Sequence, residues 1–313
     1  MWAYILKRLL AVIPVAVVVC TVVFLMLHLS PGDPAAVIAG NYATSEDIAR
    51  IRARLGLDEP LYAQYFKWLG HVVQGDLGDS IFSDMPVTTL IGQRLGPTIA
   101  LALASIVVAV FIGVPLGILA AWKVERWIDR LVMILAALGF SMPVFVVAYI
   151  LIYWFSIRLK IFPVQGFAGL DQGLMNLLYS LTLPSLALGL IYAALIARIT
   201  RASVLEVLSE DYIRTAYAKG LSPVKVLFRH VLKNASVPIV TVIGLGFALL
   251  IGGVVITESV FNIPGLGRLV VDSVLARDYP VIQGIILLFS GVYLLVNLLV
   301  DISYTLLDPR IRY

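Results

Sequence analysis

Side chains able to do covalent chemistry are sparse in this chain of 313 residues, and their spacing excludes most catalysis. Three histidines stand apart at positions 28, 71 and 230. The one cysteine, Cys20, lies in an apolar run, so neither a Cys-based metal site nor an intrachain disulfide can be assembled. There is no G-x-x-x-x-G-K-[ST] phosphate loop, no H-E-x-x-H and no G-x-S-x-G. Gly244-Leu245-Gly246 lies inside an apolar run and Gly265-Leu266-Gly267 follows a proline, so both are read as structural rather than nucleotide-binding. What remains is the chemistry of recognition. It concentrates in "EDYIRTAYAKGLSPVKVLFRHVLKNASVP", Glu210 to Pro238, the most polar long stretch of the C-terminal half.

That stretch reads as two short helices joined by a sharp turn. Ser209 is a suitable N-cap, Glu210 and Asp211 suit the positive end of the helix dipole, and Gly220 can take the left-handed conformation that ends a helix. Ser222-Pro223 then opens a second helix with proline at its first position. There Lys225, Arg229 and Lys233 share a face opposite Val224, Leu227, Phe228 and Val231, as in a helix lying at the headgroup level. The first helix is expected to project Ile213, Ala216 and Tyr217 with small Ala218 and Gly220, a compact surface for a groove on another protein. On spacing alone, a solvated amphipathic loop fits equally well.

The elements that carry this stretch are membrane helices. With 61% hydrophobic and 13% charged residues, the chain departs far from the roughly 25% charged residues of a soluble domain. The apolar residues fall in six blocks near the ~20 residues needed to cross a bilayer: Leu9 to Leu29, Thr98 to Ala121, Leu131 to Ser156, Leu181 to Ala197, Val237 to Thr257 and Val281 to Val300. The first is too long for a signal-peptide core and is followed by no small-residue cleavage site, which favours a retained helix. With both ends inside, the inner segments hold 14 of the 23 Lys and Arg residues and the longer outer ones hold 9. The loop 198–236 is then cytoplasmic, and the net charge of +4 is a topology signal spread over several loops, unlike a nucleic-acid patch. The expected order is a cytoplasmic N-terminus 1–8, a first span 9–29, an extracytoplasmic helical segment 30–97, a five-helix core 98–305 and a cytoplasmic tail 306–313.

Within 30–97, "SPGDPAAVIAG" begins with a turn. Thr44 or Ser45 caps a helix through "SEDIARIRARLGL", whose Ile48, Ile51 and Leu55 form one apolar stripe. Tyr62, Tyr65, Phe66 and Trp68 are read as interface anchors ahead of a partner contact. As drawn, the six blocks contain no Asp, Glu, Lys or Arg, so energy must enter from elsewhere and any path is weakly polar, with Ser141, Thr182 and Asn297 as its polar groups. Pro115, Pro143, Pro184 and Pro238 are read as kinks before hinges, and Gly113 with Gly117 permits a close helix contact.

"RTAYAKG" at Arg214 to Gly220 resembles the E-A-A-x-x-x-G motif in membrane subunits of binding-protein-dependent ABC importers, with Arg214 replacing the glutamate and Thr215 the first alanine. Around it "EDYIRTAYAKGL", "HVLKNASVPIVT", "HLSPGDP", "GDLG", "ESVFNIPGLGRLVVDSVLARDYPVIQG" and "DPRIRY" resemble the first permease subunit of dipeptide, oligopeptide, glutathione and nickel importers, nearly end to end. The resemblance implies an all-α, type I importer permease fold of six transmembrane helices with both termini cytoplasmic, in a bacterial inner membrane. It implies that Asp211, Tyr212, Arg214, Thr215, Ala216, Tyr217, Ala218, Lys219, Gly220 and Leu221 form a coupling helix docking on a cytoplasmic ATPase. It further implies a second homologous permease, two ATPase subunits holding ATP and Mg, and an extracytoplasmic solute-binding protein, with no cofactor or metal on this chain. The expected cargo is a di- or oligopeptide, with glutathione or a nickel or other metal chelate as the alternative. An uncoupled channel, a membrane signalling subunit and an intramembrane enzyme are the rival classes.

Overall fold

The computed structural model describes residues 2–29, 33–39, 43–54 and 56–307. The expected turn at 30–32, Leu55 of the expected stripe and the C-terminal motif 308–313 lie outside the described residues. The described chain is helical, with one isolated bridge between Asp79 and Pro86. In order come α1 (Trp2–His28), α2 (Pro34–Ala39), α3 (Ser45–Arg54), α4 (Leu61–Val73), α5 (Val87–Trp122), α6 (Trp127–Ser141) and α7 (Val144–Leu151), which runs into a π turn at Ile152–Arg158. After a loop follow α8 (Leu174–Leu208), α9 (Asp211–Ala218), α10 (Pro223–Val226), a second π turn at Leu227–Val231, α11 (Leu232–Phe261), α12 (Leu266–Ala276) and α13 (Tyr279–Leu307).

Five stretches among the described residues are long and apolar enough to cross a membrane: Arg8–His28, Val87–Trp122, Leu174–Leu208, Pro223–Phe247 and Tyr279–Ser303. The third expected span is not one straight helix. Trp127–Ser141 and Val144–Arg158 meet at 106°. The cause is local: Pro143 excludes the helical conformation at the residue before it, and Met142 is extended at φ −84°, ψ 129°. The other three kink candidates, Pro115, Pro184 and Pro238, stay inside their helices.

The helices also outrun the apolar blocks. At 1.5 Å per residue, α5 and α8 are each more than about 50 Å long, well beyond the ~30 Å hydrocarbon layer. They and their neighbours therefore include ionisable groups that the blocks omit: Arg198 and Arg201 on α8, Glu258 on α11 and Asp301 on α13. The second short helix expected after Pro223 is not separate either. Nothing between Val231 and Val237 breaks a helix, and α10, the π turn and α11 are consecutive from Pro223 to Phe261.

The chain forms two compact units. One comprises Leu6–Gly96 and Gly265–Leu295. Its core is Val87, Ile91, Leu266, Val281 and Ile285, joined by Leu77, Leu90 and Leu269. Thr44 caps α3 reciprocally: its hydroxyl accepts the Asp47 N–H at 3.3 Å, and the Asp47 carboxylate accepts the Thr44 N–H at 3.1 Å. The Thr44 hydroxyl and amide together hold the Asp47 carboxyl below its usual range. Tyr65 and Trp68 pack edge-on and tilted against Phe24 of α1, while Tyr62 and Phe66 remain exposed, so only half of the expected aromatic anchors face outward. The buried Asp278 carboxylate accepts the Ser80 hydroxyl and, at 3.1 Å, the Ile81 N–H, which pins the loop around the bridge.

The other unit comprises Met1–Ile5, Pro97–Pro264 and Val296–Tyr313. Its spine is a parallel contact of α5 with α8. A Cβ on Gly189 would meet the Ser105 carbonyl at 2.8 Å, one on Gly113 the Ala193 carbonyl at 2.7 Å, and one on Gly117 the Ala197 carbonyl at 2.5 Å. Residue numbers rise together along both helices, so both run the same way, and the chain between them must return. The bent α6–α7 pair with its π turn is therefore the one crossing between α5 and α8. Gly253 against Leu188 and Gly246 against Tyr192 set α11 antiparallel to α8. Leu101, Val144, Ala148, Leu181, Leu188, Val254 and Phe261 form the core where α5, α7, α8 and α11 meet.

Gly117→Val forces a side chain into the Ala197 carbonyl and the Thr200 Cβ at 2.6 Å. Overpacking of this kind costs about 1–3 kcal/mol. Thermal unfolding of the detergent-solubilised protein should shift down for Gly117→Val and hold or rise for Gly92→Ala, where nothing lies within 4 Å of an added Cβ and alanine is the better helix former.

Candidate functional site

The polar stretch starts where α8 ends, and the cap is not the expected one. Ser209 closes α8 in a right-handed conformation, its hydroxyl donating to the Glu206 carbonyl at 2.7 Å. Glu210, extended at φ −69°, ψ 143°, is the N-cap of α9. A serine that bonds back into the preceding turn is unavailable to cap the next helix. At the other end Gly220 takes φ +77°. Its N–H bonds the Tyr217 carbonyl at 2.9 Å and the Leu221 N–H bonds the Ala216 carbonyl at 3.3 Å, a paired termination that only a residue free of Cβ adopts without strain.

The faces of α9 differ from the expectation. Ile213 is 1% exposed and Ala216 is buried, both packed with Val204 of α8, Ala121 of α5, and Val226, Leu227, Val231 and Ala235 after the turn. They are the anchor of the helix rather than its projecting surface. Asp211, Tyr212, Arg214, Thr215, Tyr217, Ala218, Lys219 and Gly220 are exposed, and Leu221 packs at the edge of the anchoring cluster. A 3.4 Å ion pair links Arg214 to Asp211 on the outer face. The Asn234 amide donates to the Tyr212 hydroxyl at 2.8 Å and to the His230 carbonyl at 2.9 Å, fixing α9 against the start of α11.

Beyond the turn, the π turn shifts which residues face inward. Val226, Leu227 and Val231 are buried, but Val224 and Phe228 are exposed beside the exposed Lys225, Arg229 and Lys233. Half of the expected stripe, Leu227 and Val231, thus faces inward with Val226, while Val224 and Phe228 do not; the π turn at Leu227–Val231 interrupts the uniform spacing on which the four were drawn together.

The three polar residues expected on a path sit on three helices of one unit. Ser141 ends α6 at the bend and donates to the Ala137 carbonyl at 2.8 Å; Thr182 donates to the Leu178 carbonyl at 2.7 Å; Asn297 lies half-buried on α13. Glu258, by contrast, is fully buried and accepts the Thr98 hydroxyl at 2.6 Å, joining α11 to α5.

Residues 113–313 match the family described as binding-protein-dependent transport system inner membrane component, and residues 1–102 match the N-terminal model of the same systems. The chain belongs to this family of inner membrane components. It is 54% identical to the "Probable peptide ABC transporter permease protein y4tP" of Sinorhizobium fredii, with both chains wholly covered. It is 48% identical over 310 residues, 99% of each chain, to the glutathione transport system permease protein GsiC of Salmonella typhimurium. Among solved structures, an inward-facing MetNI methionine ABC transporter chain superposes with a TM-score of 0.59 at 18% identity, covering 71% of this chain and 97% of that one. That likeness is one of fold, the type I ABC importer permease.

Within this permease, the contacts missed by sequence reasoning are long-range ones. Asn234 with Tyr212, and Thr98 with Glu258, lie 22 and 160 residues apart. Only the placement of a lone carboxylate one residue past the fifth apolar block signalled Glu258. The anchor of α9 makes a direct expectation. Ile213→Ala removes a buried side chain at a cost of about 2–5 kcal/mol, whereas Arg214→Ala removes only an exposed pair worth about 0–1 kcal/mol. Amide hydrogen exchange across 211–221 should therefore accelerate strongly in Ile213→Ala and remain near wild type in Arg214→Ala.

Proposed function

We propose that this chain is the first-type permease subunit of an ATP-driven importer of di- or oligopeptides, forming half of the translocation path with a second, homologous permease. The observation that carries the reading is α9. It is held rigidly by Ile213 and Ala216 and turns Tyr212, Arg214, Thr215, Tyr217, Ala218 and Lys219 outward, as a helix docking on a cytoplasmic ATPase requires. ATP and Mg belong to two partner ATPase subunits, and an extracytoplasmic binding protein delivers the solute. ATP-driven approach of the ATPases moves α9 and, through it, switches the permease pair between two arrangements.

The peptide cargo follows the relative from Sinorhizobium fredii, named for peptide transport. Glutathione is the second reading, because relatives at 48% identity are named for its transport. Small residues and backbone line most of the path, with Ser141, Thr182 and Asn297 contributing polarity. Glu258 fits this weakly polar reading because its carboxylate is closed off and joined to Thr98.

Tyr217→Ala removes an exposed aromatic from the docking face, and Gly220→Val strains a left-handed position by roughly 1 kcal/mol or more. In the reconstituted transporter both variants should insert and pair with the second permease, yet release the ATPases or lose uptake per ATP. Normal ATPase binding with normal solute-stimulated uptake in both would reduce α9 to a solvated loop.

Orientation has its own test, in a Cys20→Ser background. Ser80 is buried against Asp278 and is a poor reporter, whereas Ser83 is exposed. An impermeant thiol reagent applied to intact spheroplasts should label Ser83→Cys and leave Ser222→Cys unlabelled; the reverse pattern would invert the topology.

A further inference from the structure

Where α8 leaves its contact with α5, a second polar joint ties it to α6. Asp129, in the first turn of α6, has a side chain 5% exposed, and Arg201 of α8 one 27% exposed. Arg201 Nε donates to Asp129 Oδ1 at 2.5 Å and its Nη2 to Oδ2 at 2.8 Å, a two-point fork that fixes direction as well as distance. The same Oδ2 accepts the Glu125 N–H at 3.0 Å, so one carboxylate holds the turn after α5, the start of α6 and the flank of α8. Arg201 stands one turn beyond Ala197, against which Gly117 of α5 is set, and one turn before Val204, which packs on Ile213 of α9. The fork thus lies between the intramembrane packing of α8 and the base of α9, and α6 leads from it to the 106° bend at Met142-Pro143.

We propose that Asp129 and Arg201 are a positioning pair that transmits displacement of α9 to α6 and thereby to the bent α6–α7 crossing. The proposal rests on the docking role of α9 given above. Along the rest of their length α6 and α8 meet by packing, with Gly139 set against Ala194 and Arg198 over the Phe140 ring; at the end nearest α9 the fork adds a two-point charged contact, which resists the sliding that packing alone would allow.

The test uses the complete transporter, with both permeases, ATPases and binding protein, in nanodiscs for hydrolysis and in proteoliposomes for uptake of a labelled tripeptide. Asp129→Asn and Arg201→Lys each break the fork and should retain ATPase binding and basal hydrolysis while uptake per ATP falls at least tenfold. The reversed pair, Asp129→Arg with Arg201→Asp, should recover a substantial part of that ratio. The double variant Asp129→Leu/Arg201→Leu replaces a buried pair by apolar contact, a change that commonly preserves stability. It should accumulate and unfold near wild-type temperature but remain uncoupled. Uptake per ATP within twofold of wild type in this double variant would overturn the proposal, also if the single variants fail to fold. Tyr217→Ala, run alongside, separates the two readings: undiminished ATPase binding there counts against docking by α9, while a tenfold loss in the Leu double variant still supports the fork.

Discussion

The contact between α5 and α8 is the constraint on which the rest of the larger unit depends. In a bilayer, apolar side chains gain little by leaving lipid for another helix, so association relies on close packing and on small residues that let backbones approach. Gly113, Gly117 and Gly189 supply that approach, each with a carbonyl of the facing helix where its Cβ would stand. Because the two helices run parallel, the intervening chain must cross back between them. That return is the bent pair, with Pro143 at its break. Because the contact continues to Ala197 and Thr200, the end of α8 that leads into α9 is fixed relative to α5, and the cluster that holds α9 forms between them.

The polar groups inside this unit follow the same geometry. Glu258 and Asp129 are buried carboxylates near opposite ends of the packed helices, and each is met by a donor on a different helix, Thr98 in one case and Arg201 in the other. A buried charge without such a partner would be costly, and such groups in membrane helices face the bundle rather than lipid. The Ser105 and Thr200 hydroxyls have no hydrogen-bond partner among the described residues. Both lie on the α5–α8 contact, beside the close approaches made by Gly189 and Gly117.

Much of this was legible in the amino-acid order. The apolar blocks fall on the long apolar helices and on the bent α6–α7 pair, Gly220 announced its left-handed turn, and Gly113 with Gly117 announced a close contact. What was misread was phase and partnership. Ser209 has the composition of a cap but the bonding of a helix end. Ile213 and Ala216 were legible as one face of a helix, but their direction was set by Val204 and Ala121, distant in sequence. Of the stripe Val224, Leu227, Phe228 and Val231, the second and fourth face inward and the others do not, since a π turn, invisible in residue types, breaks the uniform spacing. Charges excluded from the blocks returned once helices proved longer than the apolar runs, since a helix continues until a residue stops it, not until hydrophobicity ends.

The mounting of α9 explains how so small an element is held as a helix. Eight residues would not hold a helix in water by themselves, because the cost of nucleation is not recovered over two turns. Here the tertiary contacts supply the stability: Ile213 and Ala216 on one side, the Gly220 termination at one end and the Asn234 bond to Tyr212 at the flank. The exposed face is therefore ordered in the chain by itself, which would lower the entropy lost in the docking proposed above. The anchoring residues come from α5, α8, the π turn and α11 at once. A displacement of α9 of the kind proposed above would therefore be shared by four elements of the unit.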